Sequence, residues 1–144
     1  MRIEEAHRKA TGLFRKRGWR VFKFQRDAWK AYASGESGLV HAPTGTGKTY
    51  AVWFPPLAEW MTGQRRGKSA PGLQVLWITP LRALVEDTRL SLLELCDELE
   101  VPWTVEARTG DTSGALKARQ RRRLPSCLVT TPESLSLLLS YPDF

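Results

Sequence analysis

The residues best suited to chemistry lie in the stretch HAPTGTGKTY at positions 41–50. Gly45 and Gly47 let the backbone turn so that successive N–H groups point towards an anion. Lys48 can reach the β- and γ-phosphates of a nucleotide, and the Thr49 hydroxyl can bind Mg²⁺. The pattern predicts a loop that holds the phosphates of a nucleotide. The alternative is a glycine-rich turn that happens to end in Lys-Thr.

This loop departs from the usual phosphate-loop pattern at one position, because that pattern begins with Gly and this sequence has Ala42. The helix expected after the loop would add the partial positive charge of its N-terminus. Lys48 and Thr49 are the candidate catalytic residues, and Thr49 is also the candidate metal ligand. The candidate nucleotide-binding residues of the loop are Pro43, Thr44, Gly45, Thr46, Gly47, Lys48 and Thr49.

The hydrophobic pattern predicts helices and short strands along the chain. Residues 73–79 (LQVLWIT) are nearly all apolar, which indicates a fully buried strand. Pro55 and Pro56 should shorten or kink the helix that follows the loop, and residues 63–72 are typical of a polar loop. We expect helices over residues 1–18, 25–34, 48–62, 80–99, 114–123 and 132–140, and strands over 38–42, 73–79, 103–108 and 127–131.

This alternation predicts an α/β fold with a doubly wound parallel sheet and helices on both faces, because strands bridged by helices run parallel. Ligands of such sheets bind at the carboxyl ends of the strands. The most distinctive loops each follow a predicted strand, so we expect them at that end of the sheet. These loops are residues 43–49, 79–82, 109–113 and 131–134.

Composition narrows the class of protein. The chain has 144 residues, which suits one domain, and 22 basic against 15 acidic residues give a net charge of +7. This charge favours a polyanionic partner such as nucleic acid. The sequence contains neither a signal-peptide pattern nor an apolar run of membrane-spanning length, so we expect no membrane association and a cytoplasmic location. Cys96 and Cys127 are expected to be buried free thiols.

The stretch Ala42-Pro-Thr-Gly-Thr-Gly-Lys-Thr49 resembles motif I of the superfamily 2 helicases, the DEAD/DEAH-like nucleic-acid motors, in which Ala replaces the first Gly. The resemblance implies a RecA-like domain that binds ATP and Mg²⁺. It also implies that the carboxamide of Gln25 reads adenine, since it has both a donor and an acceptor. Phe22 or Phe24 could stack on the base. The alternative is that Gln25 caps a helix and both phenylalanines lie in the core.

Three further stretches resemble elements with which these motors hold nucleic acid. Thr79-Pro-Leu-Arg-Ala-Leu84 resembles motif Ia, Thr130-Thr-Pro-Glu-Ser134 resembles motif Ib, and the Thr109-Gly-Asp111 turn lies between them. The resemblance implies contacts to the strand backbone rather than to base edges. The candidate nucleic-acid-binding residues are Thr79, Pro80, Arg82, Thr109, Gly110, Asp111, Thr131 and Pro132.

Longer phrases, among them Gly18-Trp19 and residues 76–84, make the chain similar to the Lhr-like branch, in particular the bacterial ligase-associated DEXH-box helicases. This similarity implies an ATP-driven DNA motor in DNA repair that acts on single-stranded DNA or a duplex junction, with a DNA ligase among candidate partners. Residues 1–35 would form N-terminal helices with the adenine-reading segment, and residues 36–144 part of a RecA-like ATP-binding domain.

The basic stretch KARQRRR at residues 117–123 has two interpretations. It is either a solvated helical face or an electrostatic arm that contacts nucleic acid.

The carboxylates of the family's motif II, in the pattern Asp-Glu-x-His or Asp-Glu-x-Asp, do not occur in the sequence. They position Mg²⁺ and the attacking water. We expect them beyond residue 144, in a longer enzyme of which this chain is an N-terminal part with little activity of its own. The alternatives are an RNA helicase and a non-catalytic nucleic-acid-binding module. A small-molecule kinase would leave the motif Ia and Ib stretches unexplained.

Overall fold

The structure is a computed structural model that describes residues 3–63 and 70–142. The chain divides into two compact units, Met1–Arg66 and Gly67–Phe144. Most of the polar loop expected over 63–72 lies outside the described residues. The first unit contains helices α1 (Ile3–Lys16), α2 (Lys23–Ala33) and α3 (Lys48–Thr62).

Aromatic and small side chains form the core of the first unit. Ala6 and Ala10 on α1 are almost fully buried, which lets the backbone of that helix approach its neighbours closely. Trp29 on α2 packs against Phe54 on α3 with ring centroids 4.8 Å apart. Phe14 contacts the edge of Trp29 at 6.3 Å. All three helices therefore contribute to one aromatic core.

Helix α3 continues through Pro55 and Pro56, so the two prolines do not shorten it, and the kink expected as the alternative stays a prediction. Each proline removes a backbone donor from the helix. Both prolines are buried, together with Trp53, Phe54 and Leu57 around them. Burial of these large apolar side chains stabilises the helix against the missing backbone hydrogen bonds.

The strand expected over residues 38–42 is absent, and this prediction was wrong. These residues have no regular secondary structure, and the side chain of Leu39 is 92% exposed. A strand is stabilised by the neighbour with which it exchanges hydrogen bonds. Across residues 3–63 and 70–142, no strand pairs with this segment, so its apolar sequence alone does not produce a strand.

The second unit is built on a parallel sheet of β1 (Val75–Ile78), β2 (Val105–Arg108) and β3 (Cys127–Thr130) in the order β1-β3-β2. The predicted α/β fold with parallel strands is confirmed, with three strands in the described chain rather than four. Every residue of the central strand β3 is buried. The helices of this unit are α4 (Val85–Glu98), α5 (Gly114–Arg122) and α6 (Pro132–Leu139).

Two details of the second unit differ from expectation. β1 is at the edge of the sheet and is not fully buried, since Leu76 is 41% and Ile78 is 48% exposed. The helix expected to open at Pro80 instead begins with a 3₁₀ turn at Arg82–Leu84, followed by α4. Leu81, whose backbone is extended (φ −105°, ψ 110°), is the N-cap of this turn.

We predict that both cysteines are inert in the folded protein. Cys96 and Cys127 are free and fully buried, and burial raises the pKa of each thiol to about 12. The thiolate is the reactive species, so neither should react with Ellman's reagent at pH 8. The same assay in guanidinium should release both thiols of this chain. Reaction of the folded protein at the rate of the unfolded one would contradict the burial described here.

Candidate nucleotide and nucleic-acid sites

The phosphate loop has the backbone conformation that its glycines predict. Gly45 and Gly47 have φ values of +79° and +82°, in the left-handed region that side chains disfavour. Gly47 is the N-cap of α3, so the free N–H groups of the first helical turn lie directly after the loop. The Thr46 hydroxyl donates to the Pro43 carbonyl at 2.6 Å and closes the turn. This arrangement is suited to binding an anion.

The two candidate catalytic residues are exposed at the start of α3. The Lys48 ammonium donates to the Ala42 carbonyl at 2.8 Å and thus reaches back across the loop. Thr49 offers a hydroxyl oxygen, which is the hard ligand type that Mg²⁺ prefers. The loop, the ammonium and the hydroxyl therefore lie within one short segment, with Pro43 and Thr44 exposed beside them.

Gln25 connects α2 to the phosphate loop. Its side chain is 2% exposed. The side-chain Oε1 accepts from the Phe22 N–H at 2.9 Å, and Nε2 donates to the Gly47 carbonyl at 3.0 Å. Each of these atoms retains one further hydrogen-bonding position. Gln25 therefore caps its helix, as the alternative interpretation held, and at the same time faces the loop, so an additional contact to adenine stays a prediction.

A cavity of about 650 Å³ lies beside the loop and is called the nucleotide cavity below. Its volume is within the range of roughly 300–1,000 Å³ that is usual for ligand pockets. Phe22 lines this cavity, whereas Phe24 lines a different one. Of the two phenylalanines, Phe22 is thus the one beside the loop. The lining residues are Phe14, Gly18, Trp19, Arg20, Phe22, Gln25, Gly45, Thr46, Gly47 and Tyr50.

Tyr50 and Trp19 are the residues of this cavity that sequence reasoning did not assign. Their rings lie 5.5 Å apart. The Tyr50 hydroxyl accepts from Arg17 at 2.9 Å, and its carbonyl accepts from the Trp29 indole N–H at 3.3 Å. The signal for Tyr50 is its position directly after the loop. Gly18 before Trp19 marks the turn that places the indole near the loop, with φ +71°.

The three candidate nucleic-acid loops of the second unit lie at the same edge of its sheet. Ile78 and Arg108 both pair with Thr130, so β1, β2 and β3 end at the same level. The Thr79 N–H extends the ladder to the Thr130 carbonyl at 3.0 Å. The predicted placement of these loops at the carboxyl ends of parallel strands is confirmed. This edge of the sheet is called the carboxyl edge.

Arg82 and Asp111 form an ion pair across the carboxyl edge. Both are exposed, at 54% and 79% of the side chain. A Cβ added at Gly110 would lie 3.3 Å from the Arg82 guanidinium, so a glycine permits this close approach. On the other side of the turn, the Lys117 ammonium donates to the Gly110 carbonyl at 2.9 Å. The turn is therefore held between two cations.

Hydrogen bonds within the Thr-Gly turn fix its shape. The Thr109 hydroxyl accepts from the Asp111 N–H at 3.2 Å, and the Thr109 N–H donates to the Thr112 hydroxyl at 2.9 Å. Ser113 then caps α5 by accepting from the Leu116 N–H at 3.3 Å. The loop expected over residues 109–113 and the helix expected after it are confirmed.

Thr131, predicted to contact a phosphate of nucleic acid, also caps a helix. It is the N-cap of α6, where its hydroxyl accepts from the Ser134 N–H at 3.5 Å, and it is only 4% exposed. Pro132 follows at the first helical position and is exposed. The predicted proline-opened helix is confirmed, and contact of Thr131 or Pro132 with a phosphate stays a prediction.

Several cations of the basic stretch 117–123 contact the protein itself. Arg119 pairs with Glu106 at 2.5 Å, and Arg121 lies over the Tyr141 ring at 4.3 Å. Arg108, 4% exposed, donates to the Lys117 carbonyl at 3.2 Å, and burial lowers the pKa of its guanidinium. Helix α5 is thus fastened to β2 by charge-assisted contacts, which supports a structural task for part of the stretch.

Within residues 3–63 and 70–142, no group of three or more His, Cys, Asp and Glu side chains is arranged to bind a metal ion. Nor does any helix of these residues have the length and apolarity to cross a membrane.

Comparison with known proteins gives a consistent family. A family model described as DEAD/DEAH box helicase matches residues 22–143. The chain is 35% identical over 130 residues to the ATP-dependent helicase Lhr-Core protein 2 of Thermococcus barophilus. This alignment covers 83% of this chain and 15% of that protein. It is 35% identical over 144 residues to the Lhr helicase/uracil glycosylase of Escherichia coli, in an alignment that covers 86% of this chain and 9% of that protein.

Solved structures agree with these relatives. The helicase Lhr of Mycobacterium smegmatis, bound to single-stranded DNA and AMP-PNP, superposes with a TM-score of 0.67 at 32% identity, over 83% of this chain and 16% of that one. The DUF1998 helicase MrfA, bound to DNA and AMPPNP, superposes with a TM-score of 0.72 at 26% identity, over 88% of this chain and 17% of that one. The chain thus spans about one sixth of each of these two solved structures.

We predict that Gly47→Ala lowers nucleotide affinity more than Gly35→Ala, which has a similar backbone conformation away from the site. A Cβ at Gly47 would lie 2.8 Å from Gln25 Nε2, in addition to the cost of the left-handed conformation, about 1–2 kcal/mol. Gly35 has φ +74° with open space around its Cβ, so Gly35→Ala carries the conformational cost alone. Urea unfolding measures the conformational cost in each variant. Calorimetry of nucleotide binding should show lost affinity for Gly47→Ala only. Equal affinities would contradict the coupling of Gln25 to the loop.

Proposed function

The chain belongs to the DEAD/DEAH box helicase family, and on that basis we propose that it is the ATP-binding and strand-binding part of an ATP-dependent DNA helicase. The observation that carries the proposal is the phosphate loop at the N-terminus of α3, joined by Gln25 to α2 and bordered by the nucleotide cavity. An anion-binding loop, a cavity of ligand size and a polar side chain beside both are the parts that an ATP site requires.

The nucleotide would be held by groups of different chemistry at its two ends. The phosphates contact the N–H groups of residues 45–49 and the Lys48 ammonium, where the N-terminus of α3 adds favourable charge. The adenine enters the nucleotide cavity between Phe22 and Gln25, whose remaining donor and acceptor positions match its edge. Phe22, which is 38% exposed, would supply apolar contact to the adenine ring.

Hydrolysis requires that charge developing on the γ-phosphate be stabilised. Lys48 supplies one positive charge at the loop. The Thr49 hydroxyl would bind Mg²⁺, which neutralises phosphate charge and orients the reacting group when bound. The preorganised N–H groups of the loop act in the same direction. These residues would bind and polarise the triphosphate.

The carboxyl edge would hold one strand of DNA through its phosphates. Arg82 supplies a guanidinium, and the loops after β1, β2 and β3 supply N–H groups and hydroxyls at a common level. Contacts of this type are independent of base sequence, as movement along a strand requires. The residues in this role are Thr79, Pro80, Arg82, Thr109, Gly110, Asp111, Thr131 and Pro132.

Asp111 has a different part from its neighbours in this set. A carboxylate repels phosphate, so its contribution is to orient Arg82 and to shape the Thr-Gly turn. DNA as the strand is supported by two similar helicases whose structures contain it. A duplex junction as substrate, a task in DNA repair and a DNA ligase as partner extend the same proposal.

The full-length protein tests the assignment through its ATPase activity. We expect Mg²⁺-dependent turnover that single-stranded DNA stimulates and single-stranded RNA does not. Lys48→Ala should reduce turnover by at least about 100-fold, because it removes a charge that stabilises the transferring phosphate. Lys9→Ala, an exposed lysine of α1, is the matched control. Stimulation by RNA alone would indicate an RNA helicase, and no turnover with either polymer would indicate a non-catalytic binding module.

Opposite effects are expected at the two ends of the Arg82–Asp111 ion pair. Arg82→Ala should weaken binding of single-stranded DNA by about tenfold, since one charge-assisted phosphate contact is lost. Asp111→Asn should strengthen binding, because it frees Arg82 and removes a negative charge from the carboxyl edge. Arg89→Ala, which breaks the Glu86 pair on α4, serves as the control. Fluorescence anisotropy measures all three, and weaker binding by Asp111→Asn would contradict the assignment.

A further inference from the structure

A second cavity of about 310 Å³ lies in the first unit and has no place in the proposed function. It is bordered by α1, by the segment that follows Gly18 and by α2. Four of its lining residues are cations, namely Arg15, Arg20, Arg26 and Lys30. Trp19 and His7 provide aromatic surface. We call it the basic cavity.

The charge of the basic cavity is unbalanced. No Asp or Glu is among the residues that line it, and all four cations have exposed side chains. Asp27, the nearest acidic residue along α2, pairs with Lys23 at 2.6 Å. Arg26 is held by a 3.0 Å hydrogen bond to the Val21 carbonyl. Like charges brought together in a concave site attract an anion, because their field is focused there.

Three of these cations also keep hydrogen-bonding capacity for a ligand. Arg20 lies over the Phe22 ring at 5.5 Å, which orients its guanidinium without using its donors. Each guanidinium offers five donors, and a phosphate accepts several at once. Arg15 and Lys30 approach from two different helices. A single phosphate between Arg15 and Lys30 would therefore accept hydrogen bonds from two sides.

The aromatic side chains of the basic cavity suit a base rather than a simple anion. Trp19 is 45% exposed, whereas Trp29, which also borders the cavity, is only 3% exposed. His7 packs on Trp29 with ring centroids 5.4 Å apart. An exposed indole beside a group of cations is the combination with which proteins bind single-stranded nucleic acid, by stacking and by charge.

We propose that the basic cavity binds one nucleotide unit, with its phosphate on Arg15, Arg20, Arg26 and Lys30 and its base against Trp19. The unit is either a free nucleotide or one residue of a single strand, since both present the same chemistry. Trp19 and Arg20 also border the nucleotide cavity, so the two sites adjoin through these residues. The proposal does not depend on ATP hydrolysis.

Photochemical cross-linking to the full-length protein tests this site directly. The probes are a single-stranded deoxyoligonucleotide with one 5-iododeoxyuridine and the free 5-iododeoxyuridine monophosphate. Both are irradiated without AMP-PNP and with saturating AMP-PNP, which occupies the nucleotide cavity. Mass spectrometry of the peptides should locate an adduct on Trp19. An adduct with the oligonucleotide identifies a strand as the source, and one with the monophosphate identifies a free nucleotide.

The variant Arg15→Ala/Lys30→Ala should lower the yield of the Trp19 adduct by about tenfold, because two phosphate contacts are removed. Lys9→Ala/Lys16→Ala removes two exposed cations of α1 that do not line the cavity and should leave the yield unchanged. Circular dichroism verifies that both variants fold. The proposal is overturned if neither probe labels Trp19, if AMP-PNP abolishes the adduct, or if the two variants behave alike.

Discussion

The hydrogen bond from Gln25 to the Gly47 carbonyl is the contact on which the nucleotide site depends. It fixes the loop at the one residue whose left-handed backbone also starts α3. Because Gln25 is buried and also accepts from the Phe22 N–H, the position of the loop and that of the cavity wall are set together. The shape of the site therefore depends on one buried carboxamide as well as on the loop.

A different constraint organises the second unit, namely the common level at which its strands end. Three parallel strands in register bring loops from distant parts of the sequence to the carboxyl edge. Thr130 belongs to this arrangement through its side chain as well, because its hydroxyl donates to the Arg108 carbonyl at 2.7 Å. The sheet thus provides a level platform, and the loops provide the polar groups.

The features that sequence predicted well are those that depend on local chemistry. The glycines of the phosphate loop, the Ser113 cap of α5 and the proline that opens α6 each follow from a few neighbouring residues. The features that it missed depend on distant partners. In the part of the chain that the structure describes, no strand pairs with residues 38–42. The aromatic rings of the nucleotide cavity come from separate segments that no periodicity connects.

The exposure of the Arg82–Asp111 pair has a consequence for how strand binding responds to ionic strength. Dissolved ions weaken the contact between Arg82 and a phosphate, but they equally weaken its contact with the competing carboxylate. The two effects oppose each other for this residue. The number of phosphates counted from the dependence of affinity on salt concentration should consequently fall below the number that the protein touches.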